Sequence, residues 1–165
     1  MIHVSTVLLS SVLAFFNFTP LTWTEVDAMI ARDFPGTPEI STGQLAELMA
    51  GQGEVVILDA RSKEEFQASH IRGALYAPNL RAIKKHVPER STKIVVYCSV
   101  GYRSARMVKR LREIGYTDAV NLKGSIFQWA NEGRPVFQET KKVQGVHPYN
   151  EKWGALLRRD LWKYE

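Results

Sequence analysis

One cysteine in 165 residues excludes an internal disulfide and leaves the redox compartment unread. Zinc-finger spacing is absent, and His3, His86 and His147 have no partner at metal-ligand or general-base spacing. No metal is therefore expected, and these histidines read as ordinary surface residues. An RNP-like aromatic motif is absent too. The net charge of +5 comes from 22 basic residues scattered among 17 carboxylates, so nucleic acid is disfavoured as a partner. There is no internal repeat and no low-complexity tract. The longest apolar stretch, Ile2 to Phe18, is broken by several polar residues and would reach about 26 Å as a helix, short of a ~30 Å hydrocarbon core. Residues 1–20 thus have the length of a signal-peptide core or a shallow anchor. They lack a preceding Lys or Arg and a small-x-small cleavage site, and a helix packed on the domain fits equally. Membrane contact through residues 1–20, and with it export or anchoring as against a cytoplasmic location, stays open.

What is present centres on Ile94-Val95-Val96-Tyr97-Cys98-Ser99-Val100-Gly101-Tyr102-Arg103-Ser104. Four β-branched or aromatic residues read as a buried strand, Gly101 as a turn, and Ala105, Val108 and Leu111 as the apolar face of a helix. A loop bent around a helix start aims backbone N–H groups at one point, and the helix dipole adds positive potential there. Arg103, Arg106, Lys109, Arg110 and Arg112 follow Cys98 without an intervening carboxylate. Helix N-termini and cations lower a thiol pKa, which favours a reactive thiolate at Cys98 over an inert core cysteine.

With 45% apolar and 24% charged residues, the chain is able to bury one full core but hardly two. Residues 21–38 read as a helical lead-in and linker, with a capping-box-like start at Thr24 and a break over Phe34-Pro35-Gly36-Thr37-Pro38. Residues 39–138 alternate strand and helix signals. Ser41 and Ser62 open capping boxes, Val55 to Leu58 is a continuous apolar run, and Ala74 to Ala77 is a short strand. Asn79 caps a helix from Leu80 to His86, Ala119 to Leu122 is a further strand, and Gly124 opens a helix stopped by Gly133 and Pro135. The pattern specifies an α/β three-layer sandwich with a mostly parallel central sheet, carrying N- and C-terminal helical extensions. In residues 139–165, Trp153, Leu156, Leu157, Leu161 and Tyr164 share one helical face, either docked on the domain or presented to a membrane surface or partner.

Val56-Ile57-Leu58-Asp59-Ala60-Arg61, Glu65-Phe66, His70-Ile71-Arg72-Gly73-Ala74, Val96 to Ser104 and Gly133-Arg134-Pro135-Val136 together resemble the single-domain rhodanese-like sulfurtransferases, over about Ile40 to Phe137. The resemblance implies an α/β fold with a persulfide-forming cysteine, Cys98, in a loop at a strand end. Its chemistry is the attack of a thiolate on a small anionic sulfur donor such as thiosulfate, followed by transfer of the sulfur to a thiol or cyanide acceptor without a cofactor. The loop Ser99, Val100, Gly101, Tyr102, Arg103, Ser104 is expected to hold the donor, with Arg103 binding the anion rather than forming only a structural ion pair. Ser104 is expected to cap the helix, with a hydrogen bond to sulfur as the alternative. Asp59 and Arg61 are expected to tie the sheet to its loops, and His70 to anchor a loop.

Two departures stand out. Ser99 replaces the basic residue that follows the cysteine in many members using thiosulfate, and Ser125 replaces a glycine at the turn after Gly124. Phosphatases and arsenate reductases on related folds use Cys-x5-Arg, whereas four residues separate Cys98 from Arg103 here, a tighter cradle. That enzyme class and a non-catalytic binding or sensing module are the alternatives.

Overall fold

The computed structural model describes residues 20–51 and 54–164; the apolar N-terminal segment lies outside these apart from Pro20. Helix α1 (Trp23–Asp33) is followed by β1 (Glu39–Ile40), α2 (Thr42–Ala50), β2 (Val56–Asp59), α3 (Lys63–Ala68), β3 (Leu75–Tyr76), α4 (Leu80–His86), β4 (Ile94–Tyr97), α5 (Tyr102–Glu113), β5 (Ala119–Leu122) and α6 (Ser125–Asn131). The five strands form one parallel sheet in the order β1-β5-β4-β2-β3. β4 lies at its centre, and Ile94, Val95, Val96 and Tyr97 are all buried because both faces are covered.

Alternation along β4 divides the core. Val95 and Tyr97 pack with Ile57, Leu122, Leu45 of α2 and Phe127 of α6, while Ile94 and Val96 pack with Leu58, Ile83 of α4 and Leu111 of α5. Two helical layers on one sheet give the three-layer α/β sandwich.

The helix starts follow local chemistry. Ser41 with Gln44 and Ser62 with Glu65 close reciprocal capping boxes, and Asn79 caps α4. At α1 the cap is Thr22, paired with Glu25, two residues before the expected Thr24. Val26 and Ile30 of α1 are buried, and both enter the same core as Val100 and Leu122. Phe34 at the end of α1 meets the Tyr102 ring edge-on at 5.0 Å.

The C-terminal extension differs from the expected single helix. After the antiparallel pair β6 (Val136–Gln138) and β7 (Lys141–Val143), a short helix α7 (Glu151–Gly154) stops and a 3-10 turn follows at Arg159–Leu161. Leu156 and Leu157 are buried, and Trp162 folds back so closely on Gly154 that a Cβ there would lie 2.6 Å from its ring. Asn131 of α6 holds the chain on both sides, donating to Leu156 O at 2.8 Å and accepting from the Arg158 N–H at 2.9 Å. Apolar spacing compatible with a helix is thus satisfied by a compact turn docked on the domain. No helix among the described residues is long and apolar enough to cross a membrane.

Candidate active site

Cys98 follows the last residue of β4 and is only 1% exposed. Its backbone is fixed on both sides: the N–H donates to Ser125 Oγ at 3.0 Å, and the carbonyl accepts from the Ile126 N–H at 3.2 Å. Ser99 O accepts from the Phe127 N–H at 3.0 Å. The start of α6 therefore satisfies its orphan N–H groups on the cysteine loop.

Gly101 makes the turn. Its φ of 106° is a left-handed conformation, and a Cβ there would meet Ile30 and the Leu122 carbonyl at 3.4 and 3.6 Å. α5 consequently begins at Tyr102 with Gly101 as N-cap, so Ser104 sits inside the first turn and is not the cap. The Ser104 hydroxyl lies 3.5 Å from Cys98 Sγ and 3.1 Å from Gly101 O, two acceptors for one proton. The Gly101 N–H donates to Sγ at 3.2 Å. Burial pushes the Cys98 thiol up, but the Arg103 charge and the hydrogen bonds from Ser104 and Gly101 outweigh it and bring it below its ordinary value.

Arg103, expected to bind an anion, is bound to Glu65. Its guanidinium donates to Glu65 Oε2 at 2.9 Å and Oε1 at 2.7 Å, and to Ser99 Oγ at 2.9 Å, while Ser99 Oγ donates to Glu65 Oε1 at 2.8 Å. The Arg103 side chain stays 28% exposed against 2% for Glu65, so one face of the cation remains open to the cleft. Burial raises the Glu65 pKa, yet Arg103, the Ser62 N–H and Arg61 hold it at about 2. Glu65 is thereby both the third residue of a capping box and the anchor of the cysteine loop.

Asp59 and Arg61 lie deeper, both side chains at 0% exposure and joined at 2.7 Å. Arg61 also donates to Ser69 O at 2.6 Å, and its Nη1 has no hydrogen-bond partner. His70 stacks on Phe66 at 4.3 Å, its Nδ1 is 3.1 Å from Phe66 O, and its backbone bridges Phe137. None of these three lines the cleft beside Cys98, a space of about 290 Å³ bordered by Ser99, Val100, Tyr102, Arg103, Arg106, Tyr149 and Trp153. The loop residues named from the sequence are thus brought together, and Asp59, Arg61 and His70 stand behind them.

Four further residues of the site carry weak or no sequence signatures. Glu65 reads as a helix start and as part of a family stretch but with no role at the cysteine, and Ser125 only as a lost glycine. Tyr149 and Trp153 come from the C-terminal extension, where no motif points back to Cys98. His147 is half-buried, contrary to a surface assignment, and its Nδ1 accepts from the Tyr149 N–H at 3.0 Å.

With this geometry in hand, the chain matches the Rhodanese-like domain family over residues 41–132. A sulfurtransferase of Allochromatium vinosum is 31% identical over 99 residues, 59% of this chain and 92% of that protein. Thiosulfate sulfurtransferase PspE of Escherichia coli is 34% identical over 71 residues, 41% of this chain and 67% of that protein. The crystal structure of a rhodanese-related protein from Thermoplasma volcanium superposes with a TM-score of 0.54 at 31% identity, over 62% of this chain and 99% of that one. The family match ends at residue 132, so Tyr149 and Trp153 lie beyond it.

Proposed function

This chain belongs to the rhodanese-like domain family, and on that premise we propose that it moves a sulfane sulfur through a persulfide on Cys98, from thiosulfate or a related anionic donor to a thiol or cyanide acceptor. The Cys98 thiolate attacks the outer sulfur of thiosulfate, a Cys98 S–S bond forms, and the donor's S–S bond breaks with its electron pair leaving on sulfite. An acceptor thiolate then attacks the outer sulfur of the persulfide, and the electron pair of the breaking bond restores the Cys98 thiolate. The reading rests above all on the Cys98 sulfur, which receives the Gly101 N–H at 3.2 Å beside the Ser104 hydroxyl. Donors so placed stabilise negative charge on the cysteine thiolate and on the persulfide.

Arg103 bears on the phosphatase alternative. A bidentate clasp of phosphate takes a guanidinium fork, and the fork of the two terminal nitrogens is here taken by Glu65. The test is an intact-mass spectrum of the full chain after thiosulfate treatment. One added sulfur, removed by dithiothreitol and absent from Cys98→Ser, is expected. A mass unchanged by several sulfane donors overturns the reading, as does p-nitrophenyl phosphate hydrolysis that Cys98→Ser abolishes.

A further inference from the structure

The cleft over Cys98 is completed by residues from outside the stretch that matches the family. Tyr149 and Trp153 line it together with Tyr102, so three aromatic rings border the cleft that holds the sulfur. The chain holds Tyr149 there at a cost, since its φ of 66° is left-handed, a conformation unfavourable for a residue with a Cβ. Three local contacts keep it. The Tyr149 N–H donates to His147 Nδ1 at 3.0 Å, the Asn150 N–H to Pro148 O at 2.8 Å, and Asn150 Oδ1 caps α7 through the Trp153 N–H at 3.0 Å. The ring so placed lies 4.8 Å from the Arg103 guanidinium.

Charge and surface in this cleft point the same way. Glu65 already neutralises Arg103, which leaves Arg106, exposed one turn further along α5, as the unbalanced cation of the lining. Thiosulfate is a dianion with no apolar surface to set against three rings. Resting on the sulfur-transfer reading above, we propose that the C-terminal extension makes the site selective for a monoanionic organic sulfane-sulfur donor whose ring-sized apolar group is packed by Tyr102, Tyr149 and Trp153. For a thiosulfonate, R–SO2–S⁻, the Cys98 thiolate attacks the terminal sulfur and the S–S bond to the sulfonyl group breaks. Its electron pair leaves on the sulfinate R–SO2⁻, and Cys98 keeps the persulfide, with no oxidant and no proton required.

The experiment compares benzenethiosulfonate with methanethiosulfonate on the full chain, since the two share charge and reacting group and differ in the apolar body. Sulfinate release should favour the phenyl donor by about tenfold in kcat/KM, carried by KM, as burying part of one ring predicts. Tyr149→Gly removes the ring while accommodating the left-handed backbone, so folding is not at risk, and it should cut that ratio about threefold or more. Trp153→Ala should cut it similarly, and the double variant should erase it. A ratio near one in the wild type, or one untouched by both substitutions, overturns the proposal. A binding measurement separates this from failure of sulfur transfer itself: quenching of tryptophan fluorescence by benzenesulfinate, at concentrations where methanesulfinate has no effect and lost in Trp153→Ala, supports the aromatic site even if Cys98 accepts no sulfur. Equal binding of the two sulfinates counts against it whatever the turnover.

Discussion

Two carboxylate–guanidinium pairs flank the cysteine loop, and they differ in depth. The floor pair, Asp59–Arg61, is enclosed completely, with both side chains at 0% exposure, and its partners are two residues apart. The rim pair, Glu65–Arg103, joins α3 to α5 across 38 residues of sequence and leaves its cation partly open beside the thiol. An enclosed pair has no route to a substrate and acts by fixing the strand end, the start of α3 and Ser69. A half-open pair holds the loop through its carboxylate and leaves its cation partly exposed at the edge of the cleft. Depth, more than residue type, distinguishes the two pairs.

Breaking the floor is expected to have the largest effect. Arg61→Met strands the Asp59 carboxylate in the core, and removing one partner of a buried pair costs about 3–5 kcal/mol. Urea denaturation should show the loss, and Asp59→Asn combined with Arg61→Met should recover much of it, because no buried charge then remains uncompensated. A single-variant loss below about 1 kcal/mol means the floor is open to water and the contrast in depth fails.

The rim should respond in chemistry and in pH. Arg103→Met removes the charge that lowers the Cys98 thiol, so the alkylation–pH profile should move to higher pH and sulfur-transfer efficiency fall about ten- to a hundredfold, the value of one charge-assisted contact. Glu65→Gln should move the profile to lower pH, since Arg103 is then unneutralised. Opposite signs are the signature; shifts in the same direction would mean that loop displacement, not charge, sets the thiol. Glu65 also carries an acid-stability term. Its carboxyl falls from an ordinary 4.5 to about 2 in the fold, so its contribution is complete above about pH 4.5 and is lost as pH drops towards 2. Thermal melts of wild type should steepen over that window relative to Glu65→Gln.

Legibility in the sequence follows the range of the interactions. The apolar run of β2, the capping boxes at Ser41 and Ser62 and the Asn79 cap are local, and each forms where its residues stand. The expected start at Thr24 was two residues late, because the Glu25 side chain reaches back to Thr22 and closes the box there. The start of α5 depended on Gly101 taking the left-handed turn, which moved Ser104 from cap to sulfur neighbour. Glu65 was visible as a helix-start residue, but its partner lies on another helix and no spacing rule connects them. The C-terminal extension was the least legible part, because five apolar residues at helical spacing are consistent with more than one packing. Trp162 packs on Gly154 at the turn, and Trp153 beside it borders the cleft of Cys98.

The smallest expected effect belongs to Ser125, which touches the backbone of Cys98 and is part of neither pair. It is fully buried at φ 50°, accepts from the Cys98 N–H at 3.0 Å and donates to Leu122 O at 3.0 Å. Two opposing terms meet at this side chain. The left-handed backbone costs a serine about 1 kcal/mol relative to glycine, while its hydroxyl satisfies a buried donor and a buried acceptor, worth about 1–3 kcal/mol if left unpaired. Ser125→Ala keeps the strain and loses both hydrogen bonds, so it should destabilise by about 2 kcal/mol. Ser125→Gly loses the same bonds but relieves the strain, and should cost about 1 kcal/mol less than the alanine variant. Paired denaturation curves read that difference directly. If the hydroxyl also positions the nucleophile, both variants should lower kcat for sulfur transfer by the same factor, below about tenfold, despite unequal stability. Rates that follow stability instead would make Ser125 a packing residue, and would leave alignment of Cys98 to the N–H groups of α6.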